Sequence, residues 1–217
     1  MKNSILKTTA LFLAILSLAS CSENEDYRGS DNLIVISRNL PDFQNIKAED
    51  YMIVNIIQGP VQEIQITVNE NLQDNLLTEV VNNTLQISIE DGSYRNSTFI
   101  VDIQIPFINR LEFEDNIQGE MNMNVETLDL EIDGASRLDL FGQAETLNLK
   151  LADSGNVYGF NFLVDVLNAE LKDAAIVEIT TNDEINGSAR DAAKLRYRGR
   201  PSLNISTRDA AQIIDSN

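Results

Sequence analysis

From Leu111 onward the apolar residues fall on alternate positions in short runs, and a cluster of Asp, Gly, Ala and Ser interrupts them at a steady interval. The segments are "LEFEDNIQG" from Leu111, "LDLEIDGASRL" from Leu128, "LNLKLADSGNV" from Leu147, "LNAELKDAAIV" from Leu167, "INGSARDAAKL" from Ile185 and "LNISTRDAAQI" from Leu203. Alternation such as Leu147, Leu149, Leu151 predicts a strand with one buried face. After each cluster a second strand resumes at Leu138, Val157, Val177, Leu195 or Ile213, and no helical period intervenes.

The equivalent cluster positions are Asp115, Gly134, Asp153, Asp173, Asp191 and Asp209, separated by 19, 19, 20, 18 and 18 residues. A unit this short cannot bury its apolar face alone, so the units must stack. The expectation is an all-β, single-domain β-solenoid, right-handed and parallel β-helix-like, with equivalent residues about 4.8 Å apart. The clusters are then turns between its faces. Ala and Gly fit because stacked backbones leave no room for larger side chains, and Asp can accept from amides two positions on. A column of Asp could instead hold cations. Repulsion between like charges at about 5 Å in water is only on the order of 1 kcal/mol per pair, so capping is the expected role. The middle inward position reads Phe113, Leu130, Leu149, Ala169, Gly187, Ile205, a core that narrows at Gly187 and is filled from the opposite wall by Tyr197.

Residues 33–110 keep the alternation without the tidy turn: "YMIVNIIQG", "EIQITV", "TLQISIEDG" and "TFIVDIQIP" end in Gly, Pro or Asp-Gly. Only "NLQDNLLTEVV" from Asn71, with Leu72, Leu76 and Val80, has helical spacing, and one short helix is expected there as an end cap. No linker separates this half from the repeats, so the domain is taken as 37–217, with repeats clearest in 108–217.

The first 20 residues are an address. Lys2 and Lys7 precede the run "ALFLAILSL", too short to span a bilayer, and then come Ala19 and Ser20. "LASC", ending at Cys21, resembles the lipobox of bacterial lipoproteins, which implies cleavage before Cys21 and its acylation. Several acyl chains on one residue would tether the protein firmly to a membrane. Residues 21–36 open with "SENEDYRGSDN" after the Cys, a polar and acidic stretch expected to be a flexible tether. "SENED" also resembles acidic export signals of Gram-negative surface lipoproteins. It implies an outer-membrane protein displayed outside the cell, the alternative being the periplasmic face.

Composition removes several functions. The 217 residues contain no His and no Trp, and Cys21 is the single Cys. The commonest general base and metal ligand is therefore missing, as is any disulfide or Cys-based zinc site. A net charge of −18 argues against nucleic acid, which is bound through Lys and Arg. No phosphate loop, Ser-His-Asp set or regular calcium loop is present, so no cofactor, metal or catalytic residue is assigned. The Asn-x-Ser/Thr matches at Asn96 and Asn204 are what an Asn-rich chain gives by chance.

Over about residues 38–217 the chain resembles the head GIN domain family of autotransporter adhesins. The matching features are "LPDFQNI" at Leu40, "IIQG" at Ile56, "DIQIP" at Asp102, the turn series, and "YRGRP" from Tyr197. "DAA" and "DGAS" replace most of that family's Gly-Ser-Gly turns. The resemblance implies a β-helix-like superhelix and an adhesive role, with no catalytic residues to carry over. The expected function is a non-enzymatic, lipid-anchored binding module with a glycan or protein ligand. The alternatives are a polysaccharide lyase or hydrolase, for which Arg196, Arg198 and Arg200 near Asp191 are candidate groove residues although alternation places all three on one exposed strand face, and an envelope scaffold.

Overall fold

The computed structural model describes residues 25–217, so the leader and the acylation expected at Cys21 lie outside the described residues. The N-terminal half carries β1 (Asp26–Arg28), β2 (Leu33–Ser37), β3 (Asn45–Ala48), β4 (Tyr51–Gln58), β5 (Glu63–Asn69), β6 (Leu76–Val81), β7 (Thr84–Ile89), β8 (Ser93–Arg95) and β9 (Phe99–Ile105). The repeats follow as β10 (Arg110–Phe113), β11 (Asn116–Ile132), β12 (Arg137–Leu151), β13 (Asn156–Leu171), β14 (Ile176–Ala189), β15 (Lys194–Arg198), β16 (Ser202–Thr207) and β17 (Gln212–Asp215).

Each long strand passes around a corner, with register shifts in the β12–β13 and β13–β14 ladders, so its two halves lie on different faces. The first half of β11 pairs with β4 and its second half with β10, both in parallel. The same division continues through β12, β13 and β14 to β15 and β16. The result is a stack of parallel coils of about 19 residues, a β-solenoid as the alternation predicts. Its core is columns of inward residues such as Leu111, Leu130, Leu149 and Ala169, each buried against the coil above and below.

The sharp corner explains the turn column. Asp115, Asp153, Asp173, Asp191 and Asp209 all have φ between 50° and 62°, and Gly134 has φ 88°. Asp and Gly tolerate this left-handed conformation better than most residues do. A Cβ on Gly134 would meet the Asp115 carbonyl oxygen at 2.4 Å. Backbone bonds carry the ladder around the corner: the amides of Ala174, Ala192 and Ala210 donate to the carbonyls of Asp153, Asp173 and Asp191 at 2.7–2.8 Å. The second small residue of the turn points inward, so Ala175 and Ala193 are fully buried, whereas Ala174 and Ala192 are exposed.

Four expectations need correction. Asp26–Arg28 and residues 33–36, expected to lie in a flexible tether, are strand: β1 pairs with β8 and β2 pairs antiparallel with β5. Aromatic packing outweighs the polar composition there, because Tyr27 stacks on Tyr94 (4.9 Å) and Tyr94 meets Phe99 edge-on (5.7 Å). The helix expected from Asn71 is a single 3-10 turn, Glu70–Leu72, followed by strand β6. β-branched Val80 and Val81 lead into Asn82 and Asn83 at φ 50° and 65°, a two-residue hairpin turn to β7 that overrides the helical spacing. In the core column Leu111, not Phe113, lies beneath Leu130, since Phe113 pairs with Ile132. Gly187 is exposed at φ 122°, and a Cβ there would fall 2.0 Å from the Ala169 carbonyl oxygen. Close backbone approach, rather than a narrowing core, requires the glycine. Last, the column carboxylates do not cap their own turn's amides two positions on. Asp115, Asp173 and Asp191 reach across the stack and accept from the amides of Asp50, Asp153 and Asp173, at 3.2, 3.5 and 3.3 Å.

Candidate binding face

One outer face is built from β3, β10, the later halves of β11 to β14, and β16. On a strand with one buried face the intervening residues point outward, and parallel in-register stacking aligns them in columns. One column runs Asn45, Arg110, Asp129, Asn148, Asn168, Asn186, Asn204. A second, two residues along each strand, runs Lys47, Glu112, Glu131, Lys150, Glu170, Ser188, Ser206. Between them lies a groove of about 310 Å³ along the solenoid axis, from Arg110 to Gly187.

The groove's first wall is an amide ladder. The side-chain Nδ2 of Asn148 donates to Asp129 (2.7 Å), Asn168 to Asn148 (2.8 Å), Asn186 to Asn168 (3.2 Å) and Asn204 to Asn186 (3.1 Å). All donors point the same way, and the series ends on a carboxylate that can only accept. Asn has two donor hydrogens and a carbonyl with two lone pairs. The ladder uses one donor per rung and, on Asn148, Asn168 and Asn186, one lone pair. An acceptor is thus left on the surface at intervals of about 4.8 Å, and a donor at every rung except Asn186, whose second hydrogen goes to Glu184 (3.3 Å).

The other wall is ionic toward its N-terminal end. Lys47 reaches Glu49 (2.8 Å), Glu114 (3.0 Å) and Glu112 (3.3 Å), while Arg110 binds Glu112 (3.0 Å) and Glu131. The hydrogen bond to Glu49, opposed by desolvation, leads the causes that hold the Lys47 ammonium above its ordinary range. Burial alone would raise Glu112, but hydrogen bonds from Arg110 and Lys47 hold its carboxyl below the usual carboxylate range. Burial dominates at Glu114, which is raised despite Lys47. Two cations thus serve four carboxylates, and the groove itself is lined by Arg110, Asp129, Glu131, Lys150 and Glu170 beside the amides of Asn148, Asn168 and Asn186.

The turn column lies along a corner of the stack. Its six members occupy the turns of successive coils, and Asp50 extends it as a seventh at φ 72°, directly beneath Asp115. Burial raises the Asp50 carboxyl above its ordinary range, while its bond from the Ile89 amide works in the opposite direction. Among the described residues no group of three or more His, Cys, Asp or Glu side chains is placed to hold a metal ion. The three Arg of the enzyme alternative are dispersed. Arg196 pairs with Glu178 (2.8 Å), Arg198 lies over the Phe160 ring (4.1 Å), and Arg200 follows the end of β15.

The Asn ladder is the feature that sequence reasoning passed over. Its signal is plain in hindsight: "LNLKL", "LNAEL", "INGSA" and "LNIST" each carry Asn at the second position. Attention to the inward residues hid the outward one.

The family described as "Putative auto-transporter adhesin, head GIN domain" matches residues 42–201. A crystal structure from Bacteroides fragilis, described as a "putative adhesin", is 21% identical with a TM-score of 0.66, covering 86% of this chain and 98% of that one. A "putative adhesin" from Parabacteroides merdae is 16% identical with a TM-score of 0.52, covering 89% and 100%. A "putative lipid binding protein" from Parabacteroides distasonis is 13% identical with a TM-score of 0.53, covering 87% and 98%. These likenesses show the shared fold. No curated protein matches this chain.

Proposed function

We propose that this chain, which belongs to the head GIN domain family of auto-transporter adhesins, is a non-enzymatic binding module that captures glycans on its ladder face. The observation that carries the reading is the run of Asn148, Asn168, Asn186 and Asn204 beside a groove, in which Asn148, Asn168 and Asn204 each keep an unused donor while Asn186 spends its second on Glu184 (3.3 Å). Sugar hydroxyls both donate and accept, so an extended neutral polysaccharide lying along the axis would meet an unused acceptor at each Asn rung and an unused donor at Asn148, Asn168 and Asn204. A rigid, repeating array of hydrogen-bonding side chains suits retention of a polymer rather than turnover at one bond.

The sequence at Cys21 supports a lipid anchor on the bacterial outer membrane, joined to the fold through the few residues before Asp26. Display outside the cell is the reading favoured by "SENED". Mass spectrometry of membrane-extracted protein should find an acylated Cys21 at the mature N-terminus, and an unmodified chain starting elsewhere would contradict the anchor. A glycan array read together with reducing-end and unsaturated-product assays tests the binding claim. Retention of neutral polysaccharide without product is expected, and turnover that disappears in Asp191→Asn or Arg198→Ala would establish an enzyme instead.

A further inference from the structure

The two ends of the solenoid differ in a way the binding face does not use. At the C-terminal end the last coil leaves the strand edges of β16 and β17 without partners among the described residues. Its core columns continue to the surface, where Leu203 is 47% exposed and Ile205 and Ile213 are only half-buried. Solenoids ordinarily close such an end with a polar capping repeat. The N-terminal end also has two free edges, β6 on the ladder face and β2 on the adjoining face. Apolar side chains stand exposed on both, with Leu77 at 47% and Val35 at 64%. Neither strand carries the lysine, proline or bulge that normally guards an edge.

The last coil and the N-terminal half are opposite in charge. Residues 190–217 hold six basic and three acidic side chains, and residues 25–107 hold four basic and thirteen acidic. Arg200 and Arg208, at the C-terminal end, take part in no ion pair among the described residues. Two C-terminal ends facing each other would bring like charges together, and so would two N-terminal ends. A C-terminal end on an N-terminal end brings opposite charges together, which favours that register.

From this we infer that copies of this chain stack head to tail, the β16/β17 end of one seated on the β6/β2 end of the next. On the ladder face β16 would add to β6, and since β6 runs antiparallel to β7 while β16 runs parallel to the repeats, that junction is antiparallel. On the adjoining face β17 would add to β2, which runs with β9 and the repeats, so this junction is parallel. The contact is heterologous: each copy has one end of each kind, and assembly continues as a linear filament whose ladder faces lie in series.

Sedimentation of the full chain carrying Cys21→Ser tests this, with melting curves to confirm that every variant is folded. The wild-type mass should rise with concentration. A C-end variant, Leu203→Glu with Arg208→Glu, should remain monomeric, as should an N-end variant, Val35→Lys with Leu77→Lys. An equimolar mixture of the two retains one intact end of each kind and should sediment at twice the monomer mass. A wild type that stays monomeric throughout, an N-end variant that still self-associates, or a mixture that stays monomeric would each overturn the inference.

Discussion

Ala193→Leu tests whether the corner of the stack is as close-packed as the turn sequence demands. Ala193 is fully buried, with Ala175 in the coil beneath and Ala211 in the coil above. The Lys194 amide bonds the Ala175 carbonyl at 2.8 Å and the Gln212 amide bonds the Ala193 carbonyl at 2.9 Å, so the backbones cannot separate without breaking the ladder. Leucine adds three carbons where the coil spacing is about 4.8 Å. Overpacking of this kind costs about 1 to 3 kcal/mol. For a chain of this size that lowers Tm by roughly 2 to 12 °C. Ala192→Leu is the matched control, since Ala192 is exposed one residue away, and it should melt within about 0.5 kcal/mol of wild type. Circular dichroism melts of the three proteins decide the matter. If Ala193→Leu melts with Ala192→Leu and wild type, the stacked register is wrong.

Asp191→Asn should be neutral or slightly stabilising, because asparagine accepts the same bond from the Asp173 amide, tolerates the left-handed conformation and removes a like charge. A melting point raised by millimolar Ca²⁺ in wild type but not in this variant would make the column a cation site. Asp50 has a raised carboxyl, so its folded form binds the proton more tightly and its contribution to stability falls as pH rises through the window from its unfolded to its folded pKa. Asp50→Asn should therefore melt higher than wild type at pH 7, and a lower melting point would contradict the sign. Glu112 is depressed, so its contribution is present above the unfolded carboxylate pKa and is lost as pH falls through the lower folded value. Glu112→Gln should lower Tm at pH 7 and converge on wild type in acid, with a gap that persists in acid as the contrary result. Asn168→Ala removes its bonds to Asn148 and Asn186 and should cost about 1 to 2 kcal/mol in denaturant melts, whereas an unchanged midpoint would mean the ladder is not formed.

The repeat half was legible because stacking favours similar residues at equivalent positions in the turn, core and ladder columns. Leu130 over Leu111, and Asp191 over Asp173, are each forced by the same local geometry, so the period shows directly in the chain. The N-terminal half was harder to read. Its strands β2, β5 and β6 pair antiparallel, and nothing in their alternation states a direction. Leu72, Leu76 and Val80 mimic a helix because a turn followed by a half-buried strand can produce that spacing by coincidence. Asp50 escaped notice for a related reason. It occupies the turn column, but Tyr51 and Met52 follow it where small residues follow the Asp of the later turns. The ladder asparagines were visible yet unread, since their role arises only when register is known: Asn148 and Asn168 are 20 residues apart in the chain and 2.8 Å apart in space.

The central claim is that the ladder face is where this protein holds a glycan, and paired substitutions on two faces test it most directly. Asn168→Asp keeps the acceptor for Asn186 but removes a donor and places a charge in the groove. Arg137→Ala removes a side chain from another face, where it lies over Tyr158 at 4.4 Å. With affinity measured on an immobilised neutral polysaccharide that the wild type retains, Asn168→Asp should lose at least tenfold, about 1.4 kcal/mol, while Arg137→Ala remains unchanged. Loss on Arg137→Ala with full retention by Asn168→Asp would place the site on the wrong face, and failure of the wild type to retain any polysaccharide would remove it altogether.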